Sequence, residues 1–240
     1  MISVCVATYN GERYIEQQLQ SILAQLTQKD EVIVSDDGST DATLARIQAL
    51  KDPRVRVLAH THMGATRSFY AALEQTQGDY IFLADQDDVW LPNKVTRCTE
   101  TLQSYDLVAS DAQVTDASLN VVAPSLFQLI GSKEGLFRNW MLCSFYGSCM
   151  AFRRSVLEAA LPFPTGSYVA HDWWIGIVAE MVGRVLFLPE PLILYRRHEA
   201  NLTDLNSRSV LTRSSRSWGA KISARLQMAY YIILYKITRK

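Results

Sequence analysis

The sequence is poor in the features that mark secreted or membrane-spanning chains. Four cysteines, Cys5, Cys98, Cys143 and Cys149, occur in 240 residues, and none has the spacing of a thiolate metal site or a small disulfide framework. A reducing, cytoplasmic setting is expected. No apolar run reaches the roughly 18 residues that a bilayer-spanning helix requires. The opening MISVCVATYN starts on a strand pattern without a basic leader, so neither a signal peptide nor a transmembrane helix is expected. Internal repeats and low-complexity linkers are missing too. The segment Thr8-Tyr9-Asn10-Gly11-Glu12-Arg13, after the first strand pattern, is not the Gly- and Arg-rich phosphate loop that a sugar nucleotidyltransferase would want.

What is present suits one large globular unit: 48% of residues are hydrophobic and 20% charged. The balance of 24 basic and 24 acidic residues hides an asymmetry. From residue 201 onward eight Lys or Arg face one acid, Asp204, leaving that segment at +7 and the first two hundred residues at −7. No nucleic-acid partner is expected.

Short β-branched runs at residues 2–8, 31–35, 54–58 and 80–84 alternate with helical periodicity at residues 14–26, through residue 50, and at 65–75. Ser39 or Thr40 is a candidate cap for the second helix. Alternation of this kind predicts an α/β fold with a mostly parallel sheet wrapped on both faces and ligands beyond the strand C-terminal ends. A fifth strand is expected at 106–110, and residues 111–145 are turn-rich and aromatic. Strands at 148–152, 185–188 and 192–195 and helices at 156–160 and 172–182 complete the pattern.

The strongest chemical signal is GDYIFLADQDDVWLPNK, residues 78–94. An apolar strand pattern runs into Asp85, Asp87 and Asp88. Carboxylates crowded at one strand end repel one another unless a cation or solvent relieves them. A hard divalent ion, Mg²⁺ or Mn²⁺, suits oxygen ligands and keeps positions open for substrate phosphates. An acidic surface turn is the alternative, opposed by the apolar residues on both sides.

With VATYNGERYIEQQLQSIL, VIVSDDGSTDAT, GSCMAFRR, HDWW and YRRH, that segment makes an ordered set of motifs over residues 2–200. The set resembles family 2 glycosyltransferases of the GT-A fold, of the inverting, bacterial surface-polysaccharide type. The resemblance implies a three-layer α/β/α catalytic domain over residues 1–200, with a nucleotide-sugar-binding half to about residue 110 and an acceptor-binding half beyond it. It implies nucleotide contacts at Thr8, Tyr9, Glu12, Asp36, Asp37, Arg67 and Asp85. Metal ligation falls to Asp87, with Asp85 and His198. Arg196 and Arg197 would clamp the diphosphate. Asp172 corresponds to the general base, although the preceding place, usually Glu, holds His171. Trp173, Trp174 and Asp88 are candidate acceptor contacts, with ordinary helix core as the alternative for the tryptophans.

The implied reaction moves a sugar from a nucleoside diphosphate, such as dTDP-rhamnose or a UDP-hexose, to a glycan or lipid-linked hydroxyl. A non-catalytic nucleotide-sugar binder and a sugar nucleotidyltransferase are the rival classes. Residues 201–240 are expected to form a basic amphipathic helical tail, with Trp218, Ile222, Leu226, Ala229, Ile233 and Ile237 on one stripe. Such a tail suits an anionic membrane surface on the inner face of the cell membrane. It equally suits a homodimer contact or packing on the domain.

Overall fold

A computed structural model describes residues 1–166, 168–198 and 217–238. Its first half is the expected β-α alternation: β1 (Ile2–Thr8), α1 (Ile15–Leu23), β2 (Glu31–Asp36), α2 (Thr43–Ala49), β3 (Val55–Ala59), α3 (Ala65–Glu74) and β4 (Tyr80–Asp85). After β5 (Val89–Trp90) and α4 (Lys94–Thr101) comes the long β6 (Leu107–Thr115). The irregular region holds β7 (Val121–Ala123), α5 (Leu126–Ile130), α6 (Leu136–Leu142) and a 3₁₀ turn at Gly147–Cys149. The chain then forms β8 (Met150–Arg153), α7 (Arg154–Ala160), α8 (His171–Val182), β9 (Val185–Arg196) and α9 (Trp218–Thr238).

All strands join one sheet in the order β3-β2-β1-β4-β8-β6-β9-β5, with β7 on β6. Strands β1, β2, β3, β4, β6 and β9 share one direction, and β5, β7 and β8 oppose them. Strand β8 is the hinge of this plan. It pairs antiparallel with both β4 and β6, so the two halves expected from the sequence are stitched into one sheet. The strand pair expected at 185–188 and 192–195 is one continuous β9, which absorbs Pro191 through register shifts against Asp111 of β6.

Strand alternation builds the layers. Val4 and Val6 of β1 enter a core with Ile15, Leu19 and Ile22 of α1, whereas Cys5 faces the other core with Phe69 of α3 and Ile175 of α8. Helix α8 is apolar nearly all round, and residues 173–179 are all buried. That pattern belongs to a helix covered on several sides.

The cover includes α9. Its Ala224 and Met228 are fully buried in the same core as Trp173 and Trp174. The Trp140 indole donates to the Arg225 carbonyl at 3.0 Å, and Arg225 donates to the Met141 carbonyl at 2.9 Å. The tail helix therefore packs on the domain. The expected boundary at residue 200 lies outside the described residues.

Candidate functional site

The site forms where β1, β2 and β4 end together. Parallel pairing aligns Thr8 with Asp36 and Ala7 with Asp85, so three loops leave the sheet side by side. The loop after β1 is locked to the loop after β4 by Gln86, the residue between the two aspartates of the DQD sequence. Its Oε1 accepts from Thr8 Oγ1 at 2.6 Å and from the Tyr9 N–H at 2.9 Å, and its Nε2 donates to the Tyr9 carbonyl at 3.2 Å. From α1, Gln18 donates to the Asp85 carbonyl at 2.8 Å. Gln86 is a site residue that motif reading passes over, because an amide between two acids gives no pattern of its own.

The second loop holds itself. Asp36 accepts from Gly38 N–H, Ser39 N–H and Ser39 Oγ. Ser39 is therefore committed to this turn, and α2 begins without a side-chain cap. Asp37 accepts from the N–H groups of Met63 and Gly64, which seat the start of α3. Both carboxylates are buried, and in this arrangement they order the loops between β2 and α3. Tyr9 is exposed with its ring 5.1 Å from that of His62, and Glu12 accepts from the Ala42 N–H. Arg67 lines a hollow of about 430 Å³ with Tyr70, Glu74, Phe163 and Thr165.

The acidic loop is the electrostatic centre. Asp87 Oδ2 lies 2.8 Å from His198 Nε2, joining the end of β4 to the residues after β9. Burial, then the charges of Asp87 and Asp172, push the Asp85 carboxyl up to about 7. Asp88 is fully buried, and burial with the neighbouring Asp87 and Asp85 raises its pKa well above the ordinary range. Its Oδ1 accepts from the Arg196 N–H at 3.0 Å, while its Oδ2 has no hydrogen-bond partner. Asp88 thus braces the loop from behind and presents no surface to an acceptor, correcting that expectation.

Arg196 also departs from its expected role. Buried to 3% exposure, it donates to the carbonyls of Asp87 and Ala117 and to Gln17, each at 2.7 Å. Its guanidinium lies 4.4 Å from the Tyr14 ring, which also meets the His198 ring at 5.0 Å. A guanidinium so committed fixes the acidic loop and is not available to clamp a diphosphate. Arg197, the next residue, donates its backbone N–H to Thr115.

Asp172 sits in the first turn of α8, where a carboxylate is favoured by the helix dipole. Its charge is one of the causes, after burial and Asp87, that raise the Asp85 pKa. A Cβ added to Gly147 would lie 2.8 Å from His171 Nε2 and 3.8 Å from the Asp172 Cβ. The 3₁₀ turn, packed against β4, therefore needs a residue without a side chain where α8 begins. His171 is buried and stacked on Phe69 at 4.0 Å, and burial lowers its pKa. An imidazole whose pKa is lowered by burial stands where the sequence resemblance leads one to expect Glu.

Trp173 and Trp174 are 6% and 3% exposed, and their indoles donate to the carbonyls of Asn139 and Ala160. They are helix core, so neither offers a face for an acceptor sugar.

Among the described residues no three His, Cys, Asp or Glu side chains are gathered so that they could hold a metal ion. The donor chemistry nevertheless fits a hard cation: two crowded carboxylates, Asp85 and Asp87, and an imidazole already beside one of them. Asp87, His198 and Asp85 are the residues that would hold it.

The family model described as "Glycosyl transferase family 2" matches residues 3–161. An uncharacterized glycosyltransferase of Nostoc sp. is 30% identical over 83% of this chain, which spans 66% of that relative's length. The dTDP-rhamnosyl transferase RfbG of Shigella flexneri is 27% identical over 84% of this chain and 74% of its own. Among solved structures, S. aureus TarS 1-349 in complex with UDP-GlcNAc superposes with a TM-score of 0.66 at 20% identity, covering 93% of this chain and 70% of TarS, a likeness of fold. On the family match over residues 3–161, the chain belongs to glycosyl transferase family 2.

Proposed function

We propose that the chain is an inverting, divalent-metal-dependent glycosyltransferase of bacterial surface-polysaccharide synthesis. It transfers a sugar from a nucleoside diphosphate to a hydroxyl of a lipid-linked or oligosaccharide acceptor at the inner face of the cell membrane. The observation that carries this reading is the Asp87–His198 pair at the end of β4, with Asp172 beside the Gly147 turn that packs on the same strand.

The loop at Thr8, Tyr9 and Glu12, with Asp36, Asp37 and Arg67, receives the nucleotide; Arg197 faces the diphosphate in place of Arg196. Asp85, Asp87 and His198 hold Mn²⁺ or Mg²⁺, which when bound offsets the negative charge of the leaving diphosphate. Asp172 accepts the proton of the acceptor hydroxyl as that oxygen displaces the diphosphate, so a single displacement inverts the anomeric carbon. RfbG and TarS, by their names and bound sugar nucleotide, make dTDP-rhamnose and a UDP-hexose the first donors to test.

Thermal unfolding with a panel of nucleoside diphosphate sugars, with and without Mn²⁺, tests the reading. A donor at a hundred times its dissociation constant adds about 2.7 kcal/mol to stability. No metal-dependent shift with any donor would count against it.

A further inference from the structure

Helix α9 has two apolar faces, and among the described residues only one is covered. Ala224 and Met228 are buried against the domain, while Trp218, Ile222, Leu226, Tyr230, Ile233 and Ile237 are between 57% and 67% exposed. Their four-, four-, four-, three- and four-residue spacing lines one helical stripe. Helix α6, which α9 packs against through Met141 and Trp140, continues the surface: Phe137, one turn before Met141, is 74% exposed. Exposed apolar surface of this extent marks an interaction site.

We propose that this face, the outer stripe of α9 extended by Phe137 of α6, lies in the interface of an anionic lipid bilayer. The inference rests on the membrane setting proposed above and names the surface that meets it.

Charge selects the occupant. Beside the outer stripe α9 carries Lys221, whose ammonium lies over the Trp218 ring, and exposed Lys236, while Arg225 turns inward to Met141; between residues 218 and 238 it has no acid. Two copies meeting through this stripe would bring cations against cations, which opposes association. An anionic bilayer supplies the opposite sign, and exposed Trp218 and Tyr230 suit its boundary region. No helix among the described residues is long and apolar enough to cross a membrane, so α9 lies along the surface. Its buried side touches the element that carries Asp172: the Arg225 guanidinium is 5.6 Å from the Trp173 ring, and Tyr231 and Tyr235 flank Trp174 at 6.0 and 6.2 Å. A lipid-borne acceptor would thus meet the cleft from the docked side.

The test is co-sedimentation of the 240-residue chain with vesicles of phosphatidylcholine alone and of phosphatidylcholine mixed with phosphatidylglycerol. Sedimentation with the mixed vesicles, weakened by salt, is expected. Ile222→Glu with Leu226→Glu should lower that partition by about tenfold or more, while thermal stability and donor hydrolysis stay at wild-type values. Unchanged partition of this variant overturns the proposal, as does a wild-type chain that ignores anionic vesicles. If the double variant fails to fold, Phe137→Glu takes its place, with the same two outcomes. A dimer in light scattering that the variant dissolves, without vesicle binding, would assign the face to a second copy and refute the lipid assignment. Vesicle binding with no donor hydrolysis in the wild type would sink the transferase reading and leave this one standing.

Discussion

Replacing Gly11 by alanine is expected to break the staple between the loops after β1 and β4, and the effect should largely vanish when Gln86 is removed first. Gly11 is buried and its φ lies outside the left-handed region, so alanine meets no backbone strain. The obstacle is steric: an added Cβ would lie 2.2 Å from Gln86 Oε1 and 2.7 Å from its Cδ. The amide must swing away, losing its bonds to Thr8 and to both backbone groups of Tyr9. At about 0.5–1.5 kcal/mol for each net hydrogen bond, and with two of the three near solvent, the cost should be about 1–3 kcal/mol. Gln86→Ala alone should cost a similar amount. In the Gln86→Ala background the glycine substitution should cost much less. The one close atom left is Thr8 Oγ1 at 3.0 Å, on a side chain freed of its Gln86 partner, and the stiffer unfolded chain offsets part of that by about 0.4–1 kcal/mol. Urea unfolding of the four proteins in a double-mutant cycle measures this coupling. Equal destabilisation by Gly11→Ala in both backgrounds would show that the staple is not what the glycine protects.

Three further outcomes follow from the acidic cluster. Asp85 titrates at about 7 when folded, against roughly 4 in an unfolded chain, so the folded state holds the extra proton. Its burial therefore costs stability progressively as pH rises from about 4 to about 7; Asp85→Asn should raise the metal-free melting temperature at pH 8 and remove the stabilisation by Mn²⁺, and a lower melting temperature would refute the argument. Asp172→Asn should lower transfer by about 10²–10⁴-fold while leaving donor-induced thermal stabilisation intact; near-normal turnover would exclude Asp172 as the base. Arg196→Lys keeps the charge but cannot reach two carbonyls and Gln17 together, so it should lower the unfolding midpoint in urea by an amount that donor cannot restore.

Much of this architecture was legible in the residues because strand and helix periods are local. β1 through β4, α3 and α8 lie within a residue or two of where pattern placed them. What escaped depends on contacts distant in the chain. The two-residue β5 exists only because β9 returns to pair with Trp90, and a segment so short has no period of its own. The two tryptophans looked like ligand platforms until α6 and α7 supplied carbonyls for their indoles, although the all-round apolarity of residues 173–179 was already a sign of burial. Arg196 and Arg197 looked equivalent, yet Arg196 is the last residue of β9 and folding buries its guanidinium against the carbonyls of Asp87 and Ala117. Gln86 carried no legible signal, and Tyr14 was legible only as the start of a helical apolar pattern, not as the ring that meets Arg196 and His198. Both earn their places through partners supplied by folding.

The position of β9 late in the chain has a consequence for biosynthesis. The nucleotide-side strands are all made by residue 85, but Arg196 and His198 reach their acidic partners across 108 to 111 residues of chain. During translation, which proceeds at about 5–20 residues per second, the aspartates must wait several seconds for their counter-groups to emerge. Until then the half-made protein carries a knot of mutually repelling carboxylates, and only the arrival of its last strand lets the nascent chain settle.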